Sequence, residues 1–278
     1  MRLGGSIFAE HLTPERWIAE LRDTGYSAAY CPVDATASSE TIQAYARAAA
    51  EADIVIAEVG AWSNPMSADS EEARAALTKC QTQLALAEEI GARCCVNISG
   101  SRGKPWDGPH PDNLSPETFD QVVEVTRAII DAVKPRRTYY TLEPMPWMFP
   151  DTADSYLALL KAIDRDAFGV HVDMVNVINS PQAYYRNGDL IHEWFSKLGP
   201  HIRSCHAKDT LLSTKLTTHL DEVRPGLGNL DYRTLLREMD RLDRDTPLMI
   251  EHLSVEADFR LAAEYIRGIA AEVGVNFV

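Results

Sequence analysis

Eight short apolar or alternating runs, each about the length of a β-strand, recur along the chain and restrict its fold more than any other feature. The segments between them have helical features. Thr13 and Ser115 each precede a proline and a glutamate, the pattern of an N-cap and a first helical turn. Gly25, Gly91 and Gly199 each follow a helical pattern and are predicted to end a helix in a left-handed conformation. The predicted strands are Leu3–Ile7, Ser27–Pro32, Ile54–Val59, Arg93–Ile98, Thr138–Glu143, Gly169–Asp173, Ile202–His206 and Leu248–His252.

This alternation of strands and helices predicts parallel strands joined by right-handed crossovers. Eight such units in 278 residues close more naturally into a barrel than into an open sheet. We therefore predict an α/β fold, a (β/α)8 TIM barrel that forms a single domain over residues 1–278. An open doubly wound sheet is the alternative, but no glycine-rich phosphate-binding fingerprint follows the first predicted strand.

The charge balance and the cysteines limit the class of protein. With 27 basic and 41 acidic residues the formal net charge is −14, which disfavours nucleic acid and anionic membrane surfaces as partners. The five cysteines are an odd number without CxxC spacing, so we expect reduced thiols. Residues 1–8 lack the apolar run of a signal peptide, and no stretch reaches the roughly 18 apolar residues of a membrane span. We expect a cytoplasmic protein.

The last four predicted strands each carry one potential metal ligand near the carboxyl end: Glu143, Asp173, His206 and Glu251. Active sites of barrels lie on that face, so these side chains are predicted to converge. Converging carboxylates need a cation, because burying unpaired charge is costly. Three carboxylates and one imidazole favour one divalent ion, with Mn²⁺ or Mg²⁺ ahead of Co²⁺ or Zn²⁺. Taken singly, each ligand also has a structural explanation: Glu143 could cap a helix near Asp151, and His206 could be a packed core residue.

Other residues near the same face are candidates for substrate binding. Lys208 lies on the same side of its strand as His206, and its ammonium could hold a developing oxyanion or form a plain ion pair with Asp209. Glu58 ends the third predicted strand and offers an acceptor for sugar hydroxyls. Trp62 follows it and offers an apolar face for a sugar, although it could simply pack over the barrel.

Three long connections, 60–68, 100–113 and 210–229, are predicted to roof the pocket. His110 lies in the second of them and could contact substrate or remain solvated. Arg102 and Lys104 in the same loop could bind a phosphate or a carboxylate, but loop charges are usually solvated, so we favour an unphosphorylated sugar or sugar acid. His171 shares a strand face with Asp173 and is either a pocket residue or a packed imidazole.

Five segments of the chain stand out together: Glu143-Pro144, His171-Val172-Asp173, His206-Ala207-Lys208-Asp209, 225–231 and Ile250-Glu251. They resemble the xylose-isomerase-like sugar isomerases and epimerases, which include the ketose 3-epimerases. The HxKD segment and the downstream GxG turn are the most specific. The resemblance spans most of the chain and implies a TIM barrel that assembles as a dimer or tetramer. It also implies that the four strand-end residues bind a metal ion, with Glu143 and Glu251 acting as proton-transfer groups.

Two positions depart from the ketose 3-epimerase pattern. Those enzymes have a histidine three residues after the metal aspartate, where this chain has Asn176. They also have an arginine six residues after the metal histidine, where this chain has Leu212. Both side chains contact substrate in the epimerases, so the substrate and the reaction subtype remain open.

Together these observations predict a metal-dependent isomerase or epimerase of a small sugar or keto-sugar, acting through a metal-stabilised cis-enediolate. Glu143 and Glu251 would exchange a proton with the substrate carbon. A lyase, dehydratase or decarboxylase is the nearest alternative, because the same intermediate can expel a leaving group. An AP-endonuclease-like DNA repair protein is disfavoured by the acidic charge. A non-catalytic sugar-binding barrel is disfavoured by the four clustered ligands.

Overall fold

A closed ring of eight parallel strands forms the centre of the structure. The computed structural model describes residues 1–9 and 13–278. The barrel strands are β1 (Arg2–Gly5), β2 (Ala28–Tyr30), β3 (Val55–Gly60), β4 (Cys94–Asn97), β5 (Tyr139–Leu142), β6 (Phe168–Val172), β7 (Ile202–Ala207) and β10 (Pro247–Ile250), with β8 (Asp209–Leu212) and β9 (Leu220–Val223) between the last two. Pairing of β1 with β10 closes the ring, so the predicted (β/α)8 barrel is confirmed.

Helices surround this barrel. They are α1 (Pro14–Thr24), α2 (Ser39–Glu51), α3 (Ser70–Ile90), α4 (Pro116–Val133), α5 (Ala153–Ile163), α6 (Pro181–Tyr185), α7 (Asn187–Leu198), α8 (Tyr232–Met239) and α9 (Glu256–Val273). The Thr13 and Ser115 side chains accept backbone hydrogen bonds at the starts of α1 and α4, as predicted. Gly25 and Gly91 end their helices with φ of 70° and 80°. For Gly199 the prediction was wrong: its φ is −41°, because a 3-10 turn continues from α7.

A large apolar cluster packs the strands against the helices. Leu84 of α3, Ile129 of α4 and Leu235 of α8 are all fully buried in it. Buried charged side chains concentrate instead near the carboxyl ends of the strands, as at Asp173 and Lys208. No helix among residues 1–9 and 13–278 is long and apolar enough to cross a membrane.

The connection after β7 contains an antiparallel hairpin that the strand pattern did not reveal. Strand β8 begins one residue before the predicted loop 210–229, and β9 lies within this loop. The carboxylate of Asp209 then accepts backbone hydrogen bonds from Gly226, Gly228 and Leu230 at 2.9 to 3.0 Å. A Cβ on Gly228 would lie 2.3 Å from Asp209 Oδ1 and from the carbonyl oxygen of Thr210, so only glycine fits. The HxKD segment and the GxG turn are therefore one structural unit.

Candidate active site

Four strand ends bring the predicted metal ligands together. The set consists of Glu143 after β5, Asp173 after β6, His206 in β7 and Glu251 after β10. One ligand atom from each residue lies within 4.8 Å of the ligand atoms of the other three. His206 Nδ1 lies 2.8 Å from Glu251 Oε1, and it lies 3.4 and 3.6 Å from carboxylate oxygens of Glu143 and Asp173. One ring nitrogen therefore faces three acids.

Lys208 places an ammonium among the same acids. Its Nζ lies 2.6 Å from Glu251 Oε1, 2.8 Å from Asp173 Oδ2 and 3.5 Å from Glu143 Oε1, and its side chain is only 1% exposed. Burial lowers the pKa of Lys208, but the facing carboxylates outweigh burial and raise this pKa above its ordinary value. Asp209, the alternative partner from the sequence, uses its carboxylate on backbone N–H groups instead.

The donor set fits a divalent ion. Asp173 Oδ2 and Glu251 Oε1 are buried, and neither accepts a hydrogen bond of good geometry from the described residues, although both lie within ion-pair distance of Lys208. Three converging carboxylates are costly to bury unless cations compensate them, and the Lys208 ammonium supplies only one positive charge. Because oxygen donors dominate the set, it suits a hard dication such as Mn²⁺ or Mg²⁺.

A second polar network lies on the other side of the His206 ring. Glu58 accepts hydrogen bonds from His171 Nε2 at 3.0 Å, from His206 Nε2 at 3.2 Å and from the Ser204 hydroxyl. A carboxylate only accepts, so Glu58 holds the protons of both rings on Nε2. Burial raises the pKa of Glu58, but the two imidazoles outweigh burial and hold this pKa well below its usual range. Glu58 thereby presents His206 Nδ1 to the three acids.

This network changes the roles expected of two candidate substrate contacts. Glu58 and His171 are 2% and 0% exposed, and neither lines the cavity of about 600 Å³ that lies above the ligand set. The structure thus places both beside the ligand set and outside that cavity. Sequence alone offered no signal for the Glu58 contacts, since they join strands 113 and 148 residues apart along the chain.

Asn176 orients two of the acids. Its Nδ2 donates to Glu143 Oε1 at 2.8 Å, and its backbone N–H donates to Asp173 Oδ1 at 3.1 Å. Asn176 also lines the cavity, so one residue both positions the ligands and faces the space above them.

His110 and Arg102 have local roles in the loop after β4. His110 caps the short 3-10 helix Pro111–Leu114, and its Nδ1 accepts from Asp112 N at 3.3 Å. Arg102 donates to the carbonyl oxygen of Met66 at 2.8 Å. Neither residue lines the cavity above the ligand set, so the structure places His110 outside this pocket.

A cavity of about 600 Å³ opens above the ligand set. Trp62 lines it, as expected. The other residues that line it are Ser6, Tyr30, Ile98, Trp106, Asp107, Glu143, Met145, Asn176, Lys208, Glu222, Glu251 and His252. Glu222 of β9 pairs with His252 at 3.1 Å and lies 3.8 Å from Lys208. This pair was not predicted, because Glu222 lies in the unrecognised hairpin and His252 follows β10 with a φ of 57°.

Comparisons with known proteins agree with this architecture. The family model described as a xylose isomerase-like TIM barrel matches residues 18–269. No protein of curated function matches the sequence.

Solved structures show the same fold at low sequence identity. A xylose isomerase-like TIM barrel protein from Mycobacterium smegmatis in complex with magnesium has a TM-score of 0.66 at 18% identity, covering 95% of this chain and 90% of that one. D-psicose 3-epimerase with D-tagatose from Clostridium cellulolyticum H10 has a TM-score of 0.71 at 13% identity, covering 99% and 100%. The probable 3-DHS dehydratase AsbF from Bacillus anthracis has a TM-score of 0.66 at 14% identity, covering 96% and 98%. Likeness at these identities shows the fold alone.

Proposed function

Because the chain belongs to the xylose isomerase-like TIM barrel family, we propose that it is a divalent-metal-dependent isomerase or epimerase of a small sugar or keto-sugar. One observation supports the proposal most strongly: three carboxylates and one imidazole nitrogen converge below an open cavity. Two of the carboxylate oxygens there accept no hydrogen bond from the described residues. The D-psicose 3-epimerase of the same fold adds support for the reaction type.

The proposed ligands of the metal ion are Glu143, Asp173, His206 and Glu251, with Mn²⁺ as the expected ion. A bound dication would polarise a hydroxy-carbonyl group and acidify the adjacent C–H bond. Glu58 and Asn176 position the ligands: Glu58 keeps the proton of His206 on Nε2, and Asn176 holds one oxygen of Glu143.

Glu143 and Glu251 are the proposed proton-transfer groups. They follow β5 and β10, which are separated in the ring by β6 and β7, so the two carboxylates approach the cavity from different walls. One can accept a proton from a substrate carbon while the other returns a proton to the opposite face, which inverts the configuration. Return of the proton to the neighbouring carbon gives isomerisation. The Lys208 ammonium can stabilise the oxygen on which negative charge develops.

A lyase or dehydratase is the second candidate function. The Glu222–His252 pair lines the same cavity as Glu251, and a protonated imidazole there can donate to a leaving hydroxyl. The hydrogen bond that His252 Nδ1 donates to the Glu222 carboxylate raises the pKa of His252, which favours its protonated form. The probable 3-DHS dehydratase of the same fold adds support.

Solvent deuterium uptake tests the proposal. The protein, loaded with Mn²⁺ or stripped with chelator, is incubated in D₂O with a panel of ketoses, 3-keto-sugars and sugar acids, and the products are followed by NMR. We expect metal-dependent incorporation at one carbon of at least one ketose or keto-sugar. Elimination of water would instead support the dehydratase.

Variants of the two acids test their roles. Glu143→Gln and Glu251→Gln should each lower turnover by a factor of roughly 10² or more, because each removes a group that transfers a proton. Glu264→Gln, an exposed change on α9, is the matched control and should leave turnover unchanged. Near-normal activity of either site variant at saturating Mn²⁺ would contradict the assignment.

A further inference from the structure

We propose that the catalytic pocket continues into an outer carbohydrate subsite built on Trp62 and Trp106, so that the substrate is an uncharged keto-sugar linked to a second ring. This inference rests on the proposed function and names its substrate class. A second cavity of about 370 Å³ adjoins the first, and the same two tryptophans line both. The two tryptophans are thus shared by an inner cavity at the metal ligands and an outer cavity, and a substrate of two rings would contact both.

The Trp62 ring is exposed but held in place. Its side chain is 39% exposed, although an apolar ring of this size is usually buried. The indole packs on Gly60, where an added Cβ would lie 2.4 Å from Trp62 Nε1. The carbonyl oxygen of Trp62 accepts a hydrogen bond from Lys79 Nζ at 3.0 Å. A fixed, exposed aromatic face is a platform on which a sugar ring can stack.

The loop that carries Trp106 is also fixed. Ser101 N donates to the carbonyl oxygen of Trp106 at 2.9 Å. Trp147 Nε1 donates to the carbonyl oxygen of the next residue, Asp107, at 2.8 Å. The backbone that carries Trp106 is thus preorganised, which lowers the entropic cost of ordering this loop around a second ring.

The outer cavity supplies polar groups around this aromatic surface. Those that line it are Ser63, Asn64, Glu72 and Lys79. Glu72 and Lys79 offer one acceptor and one donor of opposite charge, a combination that suits hydroxyl groups. An aromatic face with hydrogen-bonding groups at its edge matches a sugar ring better than a purely apolar ligand.

Charge argues for an uncharged substrate. No arginine lines either cavity within the described residues, and Arg102 donates to a backbone carbonyl instead. Lys208 and His252, the cations of the inner cavity, already face carboxylates. A phosphate or a sugar acid would find no bidentate partner there and would lie beside the acids Asp107 and Glu222.

Direct binding to the Mn²⁺-loaded protein tests the subsite without requiring turnover. Calorimetric titration would compare D-fructose with three keto-disaccharides of different linkage, isomaltulose, lactulose and turanose, and with D-fructose 6-phosphate. We expect at least one disaccharide to bind about tenfold or more tightly than fructose. We expect fructose 6-phosphate to bind no more tightly than fructose.

Trp62→Ala and Trp106→Ala should each weaken disaccharide binding by a larger factor than fructose binding, so that most of the disaccharide advantage is lost. Trp62→Leu repeats the test with less loss of packing. The control is Tyr185→Ala, because this tyrosine is 72% exposed and lines neither cavity; it should leave all affinities unchanged.

Equal or weaker binding of all three disaccharides would overturn the proposal, as would tighter binding of the phosphate ester. Deuterium uptake is measured separately on the same ligands. A disaccharide advantage that depends on Trp62 and Trp106, without any uptake, would support the subsite and reject the proposed function.

Discussion

Replacing Lys208 by methionine should destabilise the metal-free protein and, at the same time, strengthen its affinity for Mn²⁺. Methionine keeps an unbranched apolar stem but removes the ammonium that lies 2.6 Å from Glu251 Oε1 and 2.8 Å from Asp173 Oδ2. These are the oxygens that accept no hydrogen bond from the described residues and that a metal ion would need. Lys208 and the ion therefore compete for the same two atoms.

The size of both effects follows from one thermodynamic cycle. Removing one partner of a buried ion pair costs about 3–5 kcal/mol, and the Lys208 side chain is 1% exposed. A bound dication would compensate the same carboxylates, so part of this cost disappears in the metal-loaded protein. The recovered part must appear as tighter binding: about 1.4 kcal/mol corresponds to tenfold and about 2.7 kcal/mol to 100-fold.

Two measurements give the two sides of the cycle. Urea unfolding in chelator reports the stability of the metal-free protein, and calorimetric titration with Mn²⁺ reports the affinity. Lys197→Met is the control, because Lys197 pairs with Asp154 and Glu193 at the surface, each at 2.7 Å. It should cost less than about 1 kcal/mol and leave the Mn²⁺ affinity unchanged. Unchanged stability of Lys208→Met, or weaker Mn²⁺ binding, would refute the competition.

Four further predictions concern the surrounding structure. Glu58→Gln should destabilise the metal-free protein by about 2–3 kcal/mol in urea unfolding, because the amide cannot accept from both imidazoles. Burial lowers the pKa of His206, but the carboxylates of Glu251 and Glu58 outweigh burial and raise this pKa well above its ordinary value. Mn²⁺ must therefore displace a proton from His206, so its affinity should fall as the pH falls. Calorimetric titration in two buffers of different ionisation enthalpy would measure the released proton. Gly228→Ala should cost more than about 2 kcal/mol, measured by thermal unfolding. Burial raises the pKa of Glu88, but hydrogen bonds from the backbone N–H groups of residues 136–138 outweigh burial and lower this pKa below 4.5. Glu88→Gln should therefore lower the free energy of unfolding by about 1 kcal/mol at neutral pH. Urea titrations should show a smaller difference as the pH falls below 4.5, because Glu88 then becomes protonated.

The barrel was predictable because strand and helix periodicity are local properties of the chain. The ends of the strands were less so: the predicted run Leu248–His252 extends past the end of β10 at Ile250, since hydrophobicity does not mark the last ladder hydrogen bond. This error in the strand end did not change the predicted ligand set. Glu251 directly follows β10, and parallel strands place their carboxyl ends on one face of the barrel.

Residues that act through distant contacts could not be assigned from sequence. The side-chain type of Glu58 suggested a hydroxyl acceptor, yet its partners are imidazoles from β6 and β7. The hairpin of β8 and β9 was missed for a similar reason. Its outer strand, Leu220–Val223, is exposed to intermediate in burial and has no long apolar run, so its pairing with β8 had no local signal.

The two departures from the ketose 3-epimerase pattern indicate where substrate recognition differs. The epimerases have a substrate-binding histidine at the position of Asn176. In this chain Asn176 Nδ2 donates a hydrogen bond to Glu143 Oε1 and so orients one of the proposed metal ligands. Leu212 ends β8 and packs against the apolar core, where those enzymes have an arginine. The partner strand β9 carries Glu222, which lines the cavity and accepts a hydrogen bond from His252 Nδ1. The Glu222–His252 pair offers an anion no bidentate partner of the kind that an arginine provides. This agrees with the uncharged ligand proposed for the tryptophan-lined outer cavity.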